Sequence, residues 1–317
     1  MIKQEEDQEL NKRLGIFGKK KHLSSQSPDY FWFEGETIIL SCILQKNFIF
    51  KYITIADFTT KHDNIDPTIY QKDFAYFFQE LKNKKIDFVS CPPSYLIFPI
   101  QPDETLGIPF GTVINDLKQS EADLFKNLHG KHRNVVRKAE KDGVEFLRGK
   151  EFKDECFDIV KETLDRENID FIGKKEFDDY CEKLDNNIEF FLVKKDGVAQ
   201  GAGILPYDQH SAYYLWGGSI KKPHIGSMNF LHWKAMMHFK NIGVKKYDFV
   251  GVRLSPDKLS KLYGIKRFKT RFGGPTIEGV IWKKTLNKPK HFLFKLAIFI
   301  KTKKLPSDII EKVLNEK

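Results

Sequence analysis

From Tyr30 to Phe58 the chain is dense in aromatic and β-branched residues, which predicts two or three strands. Asp66-Pro67 then reads as a helix start, with the carboxylate as N-cap and proline in the first helical position. Tyr70, Phe74, Phe77, Phe78 and Leu81 follow at helical spacing. Lys84-Lys-Ile-Asp-Phe-Val89 predicts another strand. Five prolines between Cys91 and Gly111 (Pro92, Pro93, Pro99, Pro102, Pro109) predict an irregular stretch, and Phe110 to Ile114 a closing strand.

The second half opens with a single predicted helix, capped by Ser120, burying Leu124, Leu128, Val135 and Ala139, and stopping at Gly143. Amphipathic helices follow around Phe152 to Leu164 and around Phe177, Tyr180, Cys181 and Leu184. Three strands come next: Glu189–Lys195, Val198–Tyr207 after an Asp196-Gly197 turn, and Ser211–Ser219. A helix over Met228–Ile242 leads into Lys245-Lys-Tyr-Asp-Phe-Val250. That hexapeptide matches Lys84–Val89 at five of six positions, each after a strand meander and a helix, so the pattern predicts a duplicated fold unit. Meander, helix, strand is the order of the acyltransferase fold typified by the GCN5-related N-acetyltransferases. The expected architecture is mixed α/β, with two tandem domains of that kind at 1–118 and 119–288 and a basic amphipathic tail at 289–317.

Composition narrows the partners. The 317 residues carry 53 Lys+Arg against 43 Asp+Glu, formally +10, spread along the chain, which favours a polyanion such as nucleic acid, a pyrophosphate-bearing substrate or an anionic membrane. Four scattered cysteines without a C-x-x-C pair argue against a zinc site or disulfide framework and suit a reducing cytosol. His224, His232 and His238 lack metal-ligand spacing, so no metal and no cofactor is expected. An acidic start without an apolar run lacks a secretory signal, and a cytoplasmic protein is expected.

Ile265–Gly274 packs Lys266, Arg267, Lys269 and Arg271 around Phe268 and Phe272 and ends in Gly273-Gly274; its plainer reading is an edge strand. A coenzyme A binder of the acetyltransferase fold usually has several glycines before the helix that follows the meander, where backbone amides meet the pyrophosphate. Lys221-Lys-Pro-His-Ile-Gly-Ser-Met228 has one glycine.

Tyr213-Tyr-Leu-Trp-Gly-Gly-Ser219, Leu231-His-Trp233, Tyr247-Asp-Phe-Val-Gly251 and Phe268-Lys-Thr-Arg-Phe-Gly-Gly274 together resemble successive motifs of the FemABX family. So does Arg133-Asn-Val-Val-Arg-Lys-Ala139 followed by Gly143-Val144. The resemblance implies an aminoacyltransferase of peptidoglycan cross-bridge synthesis. Its donor would be aminoacyl-tRNA, and its acceptor a UDP-linked or lipid-linked muropeptide. The chain looks like the short members, without the long helical hairpin. Where many members have an acidic residue before a proline, it has Cys91-Pro92, which leaves the general base open.

By that resemblance Lys269 would stabilise the oxyanion at the ester carbonyl, with Phe268 beside the terminal adenine; Arg271 and Lys266 would contact phosphates. Arg133, Arg137 and Lys141 are spaced i, i+4, i+8, a basic stripe suited to tRNA or pyrophosphate, or else to water. Tyr214 and Trp216 alternate along one predicted strand and should share a face, in the core or in the acceptor groove. Asp248 and Asp87 sit within apolar strands and suggest structural hydrogen bonding, with Asp248 also a candidate base. The lysine-flanked apolar run His291–Lys304 is too short to span a membrane; it would pack on the second domain or lie on the inner membrane face. An acyl-CoA-dependent N-acyltransferase acting on an amino sugar or surface polysaccharide precursor is the alternative enzyme. A tRNA- or anionic-surface-binding module is the alternative without catalysis.

Overall fold

A computed structural model describes residues 1–6, 8–62, 66–303 and 307–315. Two compact units emerge: Met1–Gly111 with Glu278–Lys317, and Thr112–Ile277. The C-terminal segment thus belongs with the first unit, where the sequence pattern suggested a separate tail after residue 288. The reason is a helix, Lys288–Thr302, whose Phe294 packs on Phe50, Tyr52 and Phe88 at ring-centre distances of 5.4, 5.3 and 5.0 Å. Lys304 lies outside the described residues.

In the first unit Tyr30–Glu34, Ile38–Asn47 and Phe50–Thr60 form an antiparallel meander. After the helix Tyr70–Asn83, Phe88–Val89 pairs parallel to Phe50–Thr60, in register at Tyr52↔Phe88. Tyr70, Phe74, Phe77, Phe78 and Leu81 are all buried, as their spacing requires, around Phe33, Phe98 and Trp282. The helix begins later than expected. Pro67–Ile69 forms a short 3-10 turn, and the Asp66 carboxylate accepts from the Thr68 amide at 2.9 Å. Asp73, on the buried face, accepts from the amides of Glu36, Thr37 and Ile38 and from the Thr37 hydroxyl, tying the helix to the first hairpin. Asp87 accepts from the Lys51 amide at 2.9 Å, a structural bond that satisfies an otherwise costly carboxylate.

The second unit repeats the plan. Glu145–Arg148, Ile188–Lys195, Val198–Pro206 and Trp216–Ser219 make one antiparallel sheet. Ser211–Tyr213 instead pairs parallel with Lys246–Asp248, which pairs antiparallel with Ile114–Asp116. The helix Ser227–Asn241 lies between these sheets in sequence, and its Phe230, Leu231, Met236 and Phe239 enter a core with Phe191, Tyr247, Phe249 and Phe272.

Three local expectations are corrected here. The single helix after Ser120 is two, Glu121–Asn127 and Gly130–Lys141. Leu128 and His129 are extended between them, His129 Nδ1 accepts from the Lys131 amide to start the second, and Val136 rather than Val135 is buried. The strand expected over Ser211–Ser219 breaks at Tyr214–Leu215, where the Leu215 amide bonds Tyr213 O at 2.7 Å and the chain changes sheets. The basic stretch Ile265–Gly274 is no strand: Lys261–Thr270 is a helix, N-capped by Ser260 Oγ accepting from the Tyr263 amide. The i, i+4 pair Phe268 and Phe272 turns inward from it.

Candidate active site

Lys246–Asp248 carries Asp248 into the second unit's interior, where it is 5% exposed. Its Oδ1 accepts from the Thr112 hydroxyl and, at 2.7 Å, from the Val250 amide. Val250 stands at φ 51°, a left-handed conformation that a β-branched side chain strongly disfavours. That strain, of order 1–3 kcal/mol, persists because the turn is held from both sides. Lys269, on the last turn of the Lys261–Thr270 helix and 8% exposed, donates to Val250 O at 3.1 Å and Gly251 O at 2.9 Å. Lys266, three residues earlier on the same helix, donates to Leu254 O. Two lysines at i, i+3 therefore fasten the loop after Asp248.

Burial dominates the electrostatics. It pulls the Lys269 ammonium down to about 8, against the attraction of Asp248. It pushes the Asp248 carboxyl up to about 6, against bonds from Thr112 and Val250 and the charges of Lys269 and Lys246. An ammonium has three N–H groups, and two acceptors are recorded for Lys269 among the described residues, so one donor remains for another acceptor.

Aromatic rings pack around the neighbouring residue, Phe268. Phe268 packs on His132, His232 and Phe272 at 5.4, 5.5 and 5.2 Å, and the His132 Nε2–H donates to its carbonyl at 3.1 Å. His232 is fully buried; its Nδ1 meets the Tyr247 hydroxyl at 2.8 Å and its Nε2 finds no protein partner among the described residues. Burial first, then the Lys269 charge, lowers its pKa to about 3, so the ring is neutral. Tyr214 lies edge-on to His232 at 4.3 Å, and burial raises its pKa.

The structure thus groups Lys269, Phe268, Asp248 and Tyr214 and separates the rest. Trp216 does not share Tyr214's face: after the strand break it packs on Phe171 and Tyr180 at 5.4 and 5.3 Å. Side-chain alternation holds only along an unbroken strand. Arg133 turns back from the expected stripe and donates to the carbonyls of Lys126 and Leu128, closing the preceding helix. Arg137, over the Phe125 ring at 5.1 Å, and Lys141 remain exposed. The ammonium of Lys266 is used on the chain's own carbonyl, and Arg271 ends the helix, its carbonyl accepting from the His129 amide at 2.9 Å. Gly273 completes this end at φ +85°, where a Cβ would lie 2.4 Å from Asn127 O. Thr112, His132 and the Val250 conformation escaped the sequence reading: a threonine in a strand and a histidine in a helix carry no local signal of what they face.

The start of Ser227–Asn241 is where a coenzyme A pyrophosphate would be cradled in this fold. Gly226, at φ +89°, abuts the chain itself there: a Cβ would lie 2.3 Å from Val135 O. His224 lends its amide to Gln200 Oε1 and its Nε2 to Asp142.

Residues 94–199 match the FemAB family. Among solved structures, FemX shares 15% identity and a TM-score of 0.64 over 88% of this chain and 94% of its own. The C-terminal domain of a putative lysylphosphatidylglycerol synthetase from Agrobacterium fabrum shares 14% identity, TM-score 0.54, over 89% and 92%. L-PGS from Bacillus licheniformis shares 15%, TM-score 0.53, over 93% and 98%. No curated protein sequence matches the chain. At these identities the structural likeness speaks for the fold, two tandem acetyltransferase-like units. The matched segment and the motifs around the buried lysine make this chain similar to the FemABX family.

Proposed function

We propose that the chain moves an amino acid from aminoacyl-tRNA to an amine of a peptidoglycan precursor, and that Lys269 serves the reacting ester. The observation that carries this reading is a nearly dry ammonium, fixed by two carbonyls with one N–H left over, on the motif that gives the chain its family likeness. The acceptor amine attacks the ester carbonyl carbon, and its lone pair forms the C–N bond while the carbonyl π pair moves onto oxygen. The oxyanion takes the remaining Lys269 N–H. Collapse restores the carbonyl and expels the ribose oxygen, which leaves as a hydroxyl with the proton lost by the amine. One such fixed donor lowers the barrier by about 3–4 kcal/mol.

Asp248 is the second candidate in this reaction. A carboxyl with a pKa near 6 is poised to take a proton at neutral pH. Both its recorded bonds fall on Oδ1. Phe268 would offer a ring edge to the terminal adenine, and Arg137 and Lys141 exposed charge to phosphates. The acyl-CoA alternative is disfavoured by the helix start at Gly226, packed against Val135 where phosphate oxygens would need room. Work on a lipid-linked acceptor would take place at the inner face of the membrane.

The test is incubation with a pool of charged tRNAs and candidate muropeptides, read by mass spectrometry. An added aminoacyl mass on a muropeptide is expected. Transfer from acetyl-CoA alone, with none from charged tRNA, would overturn the proposal.

A further inference from the structure

We propose that the Lys288–Thr302 helix and the neighbouring Phe48–Ile49 turn, both in the first unit, form a docking face for an anionic lipid surface. The helix divides its residues cleanly. His291, Phe294, Lys295 and Ile298 are half-buried, Phe294 against Phe50, Tyr52 and Phe88 and Lys295 paired with Glu311, whereas Phe292, Leu293, Leu296, Phe299 and Ile300 are all exposed, Phe292 at 67% and Ile300 at 61%. These five recur at i, i+1, i+4, i+7 and i+8, one continuous stripe along the helix. Phe48 is 100% exposed and Ile49 61% at the tip of the hairpin between Ile38–Asn47 and Phe50–Thr60. Lys290 Nζ donates to Ile49 O at 3.2 Å, which holds that tip beside the first turn of the helix. Single exposed apolar residues are ordinary; a contiguous set on two elements marks a partner.

Charge selects the partner. The helix carries four lysines and no acidic residue, and Lys288 and Lys301 are exposed at its two ends, with Lys303 just beyond. Cations at the N-terminal end oppose the helix macrodipole, so helix stability does not account for Lys288. Lysines bordering an apolar stripe match anionic headgroups above acyl chains. A second copy of the chain would set lysine against lysine across a two-fold contact. The helix has 15 residues, about 22 Å, and no described helix is long and apolar enough to cross a membrane, so it would lie in the interface plane.

The test is co-sedimentation of the full chain with phosphatidylcholine vesicles made with and without phosphatidylglycerol. Binding is expected to be about tenfold or more stronger on the anionic vesicles and to fall with added salt. Phe48→Glu and Ile300→Glu should each cut binding about tenfold without moving the melting temperature, because both side chains face water. Equal binding to both vesicles, or variants that bind like wild type, would overturn the proposal. So would a concentration-dependent dimer dispersed by Ile300→Glu in a chain that ignores vesicles. Vesicle binding needs no substrate, so its failure would leave the transfer reaction standing.

Discussion

Asp248 and Lys269 hold opposite ends of the same residue: the carboxylate accepts the Val250 amide at 2.7 Å, and the ammonium donates to the Val250 carbonyl at 3.1 Å. Two buried, oppositely charged groups thus pin a turn that its own side chain resists. The arrangement explains how Val250 keeps φ 51° and why Lys269 cannot wander into solvent. A cation held this way pays little reorganisation when negative charge develops beside it.

Lys269→Met separates charge from packing. Methionine fills the same space without a donor, and the burial cost of the ammonium disappears with it. Turnover is expected to fall about 10²–10³-fold, with a melting temperature only a few degrees lower. Transfer assays and thermal melts check this; unchanged turnover would make the lysine a clamp alone.

The pH dependence has a definite sign. Transfer should decline as pH rises through about 8, where Lys269 loses its proton, and Lys269→Arg should flatten that limb because guanidinium stays charged. For stability, the raised Asp248 pKa means the folded chain binds more protons than the unfolded between 3.8 and about 6. Its contribution is therefore full below that window and lost as pH rises through about 6. Lys269 acts oppositely at alkaline pH: the unfolded chain binds more protons between about 8 and 10.5, so stability gains there. Urea midpoints of wild type minus Asp248→Asn, followed from pH 4 to 7, should fall as pH rises, a range set by the usual carboxyl span.

Gly226→Ala tests the packed helix start. The residue sits at φ +89°, and its new Cβ would meet Val135 O at 2.3 Å, so backbone must move. A loss of about 2 kcal/mol or more is expected, read as a lower denaturant midpoint. A neutral result would mean that the helix start has room to open.

Arg133 and Arg137 should behave differently despite their shared spacing. Arg133→Ala removes the donor to Lys126 and Leu128 carbonyls and should cost about 1–3 kcal/mol of stability. Arg137→Gln, at an exposed position, should leave stability nearly unchanged and weaken tRNA binding, with the slope of log K against log salt reduced by about one. Denaturant titrations and filter binding distinguish the two.

Periodicity alone was enough to place the elements that bury a continuous stripe. The Tyr70–Leu81 face and the duplicated meander–helix–strand order could be read directly, because 3.6- and 2-residue repeats are local properties. The Phe268-Lys269 motif was visible as a likeness. Its secondary structure was not, since six charged and aromatic residues in a short run satisfy either period until a partner face is known.

What the tertiary fold alone decided were the choices made by distant partners. The break at Tyr214–Leu215 exists because Tyr213 and Trp216 pair with strands of different sheets, and that sends Trp216 away from Tyr214. Arg133 caps a helix rather than facing a ligand because the preceding helix ends within its reach. Thr112, 136 positions before Asp248, meets its carboxylate only when two strands align, and the protonation of both Asp248 and Lys269 follows from the burial that alignment creates. Local spacing sets which residues share a face; desolvation and long-range hydrogen bonding set what those residues then do.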